Sequence, residues 1–211
     1  MDKPDNIPIG DPAMKVTQWK RAVRPLIPQG EHWEFSTSLC YRAPVSRFMF
    51  GILGEGSDFD TGVYIWRVSM PLFVSSDIVD LSYSKRIEEG AKKYYFDDVD
   101  ALTAAIASGF RNLPTEDNEL HRIIKMASRS RNTYVLEAAA CSQIILGDRA
   151  GALDTIKRVN LIPSPYEWEN KLLSRVVDLR RTLEEKGLEA TALEIDAQAK
   201  RTASVLGLVH E

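Results

Sequence analysis

The sequence predicts an α+β fold, with an antiparallel β-sheet in its first half and helical hairpins or a helical bundle in its second. Two patterns carry that prediction. Between Trp33 and Tyr83 the apolar residues alternate, or run in short β-branched and aromatic blocks separated by Gly, Pro, Ser and Asp clusters. From Asp97 onward they recur every third or fourth residue, as on one face of a helix. The expected organisation is a flexible arm over 1–13, a β-rich α+β region over 14–96 and a helical region over 97–211. No long linker separates the last two, so they are compatible with one continuous domain.

The arm is expected because residues 1–13 hold Pro4, Pro8, Pro12 and Gly10 with little periodicity. A short amphipathic helix follows through Val16, Trp19 and Val23, ended by Pro25 and Pro28. Four segments then read as strands: Trp33–Tyr41, Val45–Leu53, Gly62–Val74 and Ile78–Tyr83. Pro71 belongs at an edge, a bulge or a strand end, because it has no amide to donate.

Helix starts are marked by capping residues. Asp97 or Asp98 opens a helix lined by Val99, Leu102, Ile106 and Phe110; Thr115, Asn132 and Asp148 open the next three. Ser164-Pro165-Tyr166-Glu167 combines a cap, a proline at the first helical position and a reciprocal glutamate, and so reads as a capping box. Gly147 and Gly187 stop helices, and a last helix spans about Leu188 to Leu206.

Composition narrows the function classes. A net charge of −3 disfavours nucleic acid as the main partner. No apolar run approaches the roughly 20 residues of a membrane span. The N-terminus lacks a signal-peptide core, and Cys40 and Cys141 sit in apolar surroundings, so two reduced thiols in the cytoplasm are expected. No cofactor is expected: there is no Walker or dinucleotide glycine loop and no zinc spacing of His and Cys. A Cys40–His32 nucleophilic pair would need a turn to bring the two together.

Leu146-Gly147-Asp148-Arg149-Ala150-Gly151-Ala152-Leu153, within residues 134–159, resembles the turn and second-helix start of a tetratricopeptide (TPR) repeat. Leu183 to Ala190 around Gly187 is a poorer second match. A regular period of about 34 residues is absent, and an ordinary helical hairpin explains the same glycine. Either form implies grooves that suit a peptide or protein partner.

Ser57-Asp58-Phe59-Asp60 resembles the metal-binding element of nucleotidyltransferases, in which two carboxylates one residue apart grip Mg²⁺. The resemblance makes Asp58 and Asp60 candidate metal ligands, with Asp77 or Asp80 as a third carboxylate. The segment departs from the family where the helix-opening Gly-Ser pair should stand upstream. A Gly/Ser/Asp-rich stretch between apolar strands is also what a hairpin loop requires.

Arg122, Lys125 and Arg129 share a helix face, and with Arg149 they are the candidate partner-binding residues. Interspersed acids make a solvated, salt-bridged surface the competing reading. The aromatics of the strand half are expected mainly in the core, with some, together with Met49 and Met70, left for a binding surface. The leading expectation is a non-enzymatic protein-binding module, similar in general kind to bacterial immunity proteins or adaptors. The alternatives are a divergent metal-dependent nucleotidyltransferase-like enzyme using Asp58 and Asp60, and a small-ligand-binding domain with an aromatic pocket.

Overall fold

The computed structural model describes residues 14–88, 92–159 and 166–210. It is an α+β protein. Helix α1 (Val16–Val23) leads through a 3₁₀ turn into strands β1 (His32–Ser36), β2 (Leu39–Ala43), β3 (Phe48–Gly56), β4 (Val63–Pro71) and β5 (Lys85–Arg86). Helices α2 (Val99–Arg111), α3 (Glu116–Ala127), α4 (Thr133–Ile145), α5 (Arg149–Lys157), α6 (Glu167–Glu185) and α7 (Gly187–Val205) complete it. The strands form one antiparallel sheet in the order β1-β2-β3-β4-β5, with Leu39 opposite Leu53 and Trp66 opposite Arg86. No helix among the described residues is long and apolar enough to cross a membrane.

The chain forms two compact units. The first takes the described residues of Met1–Arg42, Gly51–Val68 and Ser84–Leu113; the second takes Ala43–Phe50, Ser69–Tyr83 and the described residues of Pro114–Glu211.

In the first unit, Trp19 and Val23 of α1 and Leu102, Ile106 and Phe110 of α2 join Cys40, Ile52, Val63 and Ile65 of the sheet in one apolar core. Trp33 stands edge-on to Phe110, their ring centroids 4.9 Å apart. Close packing explains Gly54, where a Cβ would lie 2.7 Å from the Trp19 ring. Asp98 caps α2 by accepting from the Ala101 amide at 3.2 Å, and Arg67 donates to the Asn112 carbonyl at the other end of that helix.

In the second unit α4 is the central helix and packs on α3, α5, α6 and α7. It carries no narrow apolar stripe, because Leu136 through Ile144 are all buried, as expected of a helix covered on every side. Its charged member is Glu137, which receives a two-pronged fork from Arg175 of α6 at 2.7 and 2.9 Å. Burial pushes the Glu137 carboxyl above its usual range, and the Arg175 guanidinium opposes that push. Buried Glu119 of α3 likewise accepts from Arg122, and from Ser69 at 2.8 Å.

Thr115, Asn132 and Asp148 cap α3, α4 and α5 with side-chain bonds to Asn118, Tyr134 and Gly151 amides. Between α4 and α5 the turn runs through Gly147 at φ +84°, the left-handed conformation that glycine adopts without strain. Helices α4 and α5 pack on one another as a helical hairpin.

Three expectations need correction. The segment Trp33–Tyr41 is two strands, β1 and β2, because the chain reverses at Thr37, whose φ is +50°. Residues Ile78–Tyr83 are not a strand. Ser76 binds the Ile78 backbone and Asp80 accepts from Ser82, so local side-chain bonds hold the chain in turns. Met49 and Met70 are core residues, fully buried, and are not left for a binding surface. Ser164 and Pro165 of the expected capping box, and the expected arm over 1–13, lie outside the described residues; α6 as described begins at Glu167.

Candidate functional site

The Asp58/Asp60 segment is the loop between β3 and β4. Its backbone closes through the Ser57 amide on the Gly62 carbonyl at 2.9 Å, and Asp60 accepts from the Gly62 amide at 2.9 Å. Lys93 binds the other Asp60 oxygen at 2.8 Å. The Lys93 ammonium and the Gly62 amide together hold the Asp60 carboxyl down at about 2. Asp58 points into solvent beside Phe59, which is 89% exposed. Among the described residues no three His, Cys, Asp or Glu side chains converge as a metal site would require. Through its bonds to Gly62 and Lys93, Asp60 braces the loop.

The basic candidates separate in the fold. Arg122 turns inward: it donates to Glu119, to the Tyr83 carbonyl and to the Met126 sulfur. Lys125 stays exposed on α3, whereas Arg129 is exposed in the turn after the helix ends at Ala127, so the expected shared helix face of Arg122, Lys125 and Arg129 is not formed. Arg149 is exposed at the start of α5 and reaches the Leu183 carbonyl at 3.4 Å. Of this set, Arg122 is committed to the interior of the second unit. Cys40 and His32 do not meet as a nucleophile and base: His32 is exposed on Glu34 at 2.8 Å, and burial pushes the Cys40 thiol up to about 12. Both cysteines are free and buried.

Alternation along β4 divides the first unit's sheet. Val63 and Ile65 face the core, whereas Tyr64 and Trp66 face outward and are half-buried. The Arg86 guanidinium lies 4.1 Å from the Tyr64 ring centre and 4.8 Å from that of Trp66. Glu55 completes the cluster, accepting from Trp66 Nε1 at 2.8 Å with Arg86 at 3.6 Å. Two aromatic faces and one carboxylate thus enclose one guanidinium, a cation–π arrangement supplied within the chain.

The second unit has an open aromatic group. Tyr134, at the start of α4, stacks on Trp168, at the start of α6, with centroids 6.2 Å apart and planes 30° from parallel. Tyr166 stacks on the same Trp168 at 6.4 Å and 25°. Trp168 is 53% exposed and Tyr166 59%, so much of this three-ring ladder faces water. Tyr134 also lines a cleft of about 370 Å³ that includes Asp77, Asp80, Ser76, Ser82 and Asn132. Tyr83 donates to the Tyr134 carbonyl at 3.2 Å and fixes the cleft floor to α4.

A second opening in this unit, about 550 Å³, is lined by Arg47, Glu116, Asp196, Leu193 and Lys200, and no described lining residue is aromatic. Arg47 forks onto Asp196 at 2.6 and 3.1 Å and reaches Glu116 at 3.2 Å. Those bonds raise the Arg47 pKa further, chiefly through Asp196. The charges of this opening are thus largely consumed by one another.

The ladder was not among the residues singled out from sequence. The available signal was an aromatic pair, Tyr166 and Trp168, at the head of a helix otherwise lined by Leu and Val. The third ring comes from another helix, which no local pattern reveals. Comparison of the chain with protein-family models, with curated proteins and with solved structures returned no match.

Proposed function

We propose that this chain is a non-enzymatic protein-binding module, of the adaptor or immunity-like kind, and that its partner docks on the Tyr134–Trp168–Tyr166 ladder. The observation that carries the reading is the exposure of those stacked rings beside an open cleft. Tryptophan and tyrosine supply large contact area at small entropic cost, which is why they dominate the energetics of protein interfaces. Helix starts hold them on a packed scaffold, so little ordering remains to be done on binding. The cytoplasm is the compartment that fits two buried free thiols.

A photo-reactive amino acid in place of Trp168 tests the reading. In the cells the protein comes from, it should join the chain to another protein, while the same group in place of exposed Glu189 should not. Equal cross-linking at both positions, or none at Trp168, rejects the ladder as the docking surface.

A further inference from the structure

We infer that what docks on the ladder is a cationic segment of the partner, an arginine- or lysine-bearing stretch whose charged head lies over the rings and in the cleft. The inference rests on the protein-binding reading and adds the chemistry of the occupant. Three observations on the second unit, and one on the first, converge on it.

Trp168 and Tyr166 are more than half exposed, and an aromatic ring attracts a cation to whichever of its faces is open. The cleft that shares Tyr134 is acidic: Asp77 is exposed in it, Asp80 is half-buried, and no described residue lining it is basic. Asp80 is oriented through one oxygen, which accepts from the Ser82 amide and hydroxyl at 2.8 and 2.7 Å. The ladder is flanked by the same sign, with Glu167 and Glu169 on either side of Trp168 in the first turn of α6. The opposing charges include Lys171, which neutralises Glu167 at 2.8 Å, and Arg175, which interacts electrostatically with Tyr134 while held on Glu137. They also include Arg122, which donates to the carbonyl of cleft residue Tyr83, and Arg131, which precedes cleft residue Asn132 in the chain.

The first unit supplies the internal precedent. There an aromatic pair and a carboxylate, Tyr64, Trp66 and Glu55, are filled by the chain's own Arg86. Among the described residues no cation stands over Tyr134 or Trp168. The second unit likewise sets aromatic rings beside carboxylates, and a partner's guanidinium or ammonium would take there the place that Arg86 takes in the first.

The test uses the full chain and a fluorescein-labelled Gly-Arg repeat peptide, with Gly-Lys and Gly-Glu peptides of equal length, read by anisotropy. The Gly-Arg peptide should bind, the Gly-Lys peptide more weakly and the Gly-Glu peptide not at all. Trp168→Ala, and separately the double change Asp77→Asn with Asp80→Asn, should each weaken Gly-Arg binding about tenfold. Trp168→Phe should retain most of it, and Arg131→Ala should strengthen it. Thermal melts verify that each variant is folded. Gly-Glu binding as tight as Gly-Arg, no Gly-Arg binding, or undiminished binding by folded Trp168→Ala overturns the inference. If the cross-link at Trp168 still captures a protein in that event, the docking surface stands and only the cationic occupant falls; if both fail, the surface falls with it.

Discussion

In the first unit Arg86 lies over Tyr64 and Trp66 and reaches Glu55; in the second, Tyr134, Trp168 and Tyr166 stack at an acidic cleft with no described cation over Tyr134 or Trp168. The interiors differ in the opposite sense. The first unit's core is apolar, built on Trp19, Ile52, Ile65 and Ile106, and its described ion pairs lie outside that core. The second draws charge inward, placing Glu137 on Arg175 and Glu119 on Arg122. Arg86 of the first unit thus lies on an outward aromatic pair, whereas Arg122 and Arg175 of the second lie on buried carboxylates. Held on buried carboxylates, Arg122 and Arg175 are not free to fold over the exposed rings of the second unit.

The largest effect expected from breaking this contrast is inside the second unit. Arg175→Met should cost about 3–5 kcal/mol in urea unfolding, because it strands the buried Glu137 carboxylate. The pH dependence has a fixed sign. With its folded pKa raised, Glu137 favours the folded state below the usual glutamate range, and that contribution is lost as pH rises through the raised value. Arg175→Met should therefore lose more stability as pH rises, and adding Glu137→Gln should flatten the profile. A variant as stable as the parent near neutral pH would show that the pair is not a buried charge contact.

Next in size is overpacking of the dry core. Gly54→Ala should cost about 1–3 kcal/mol, since its Cβ must displace the fully buried Trp19 ring. Calorimetry should show a lower melting temperature, and an unchanged one would mean that the ring has room to move. Arg86→Ala is milder, about 1 kcal/mol, because its partners are half-exposed and water replaces part of what is lost. The smallest effect belongs to the ladder. Trp168→Ala should change stability by less than about 0.5 kcal/mol, as expected of an exposed side chain outside the core. A loss of several times that size would make the ladder a structural clamp, and the distinction between the two aromatic groups would collapse.

What the sequence made legible was local. Asp98, Thr115, Asn132 and Asp148 cap the helices expected of them, because a cap is a bond between residues two or three apart. The hairpin at Thr37 was hidden because Trp33, Phe35, Leu39 and Tyr41 keep the same odd-numbered parity on both sides of Ser36-Thr37-Ser38, and no glycine marks the turn. The turns of Ile78–Tyr83 mimic a strand in hydrophobicity, while their backbone is tied by serine and aspartate. For the candidate site the limit was distance along the chain. Tyr134 meets Trp168, and Arg122 turns toward Tyr83, through tertiary packing alone. Four basic residues on helices looked equivalent in sequence until Glu119 drew one of them inward.

The two cysteines have a use beyond their chemistry. Cys40 lies in the first unit and Cys141 in the second, both buried and free. Each is a built-in clock: a thiol reagent can mark it only when its surroundings open, and digestion after a timed pulse tells the two marks apart. The opening rates of the two units are thus separately readable in the unaltered chain. A partner that grips the second unit would slow the labelling of Cys141 relative to that of Cys40.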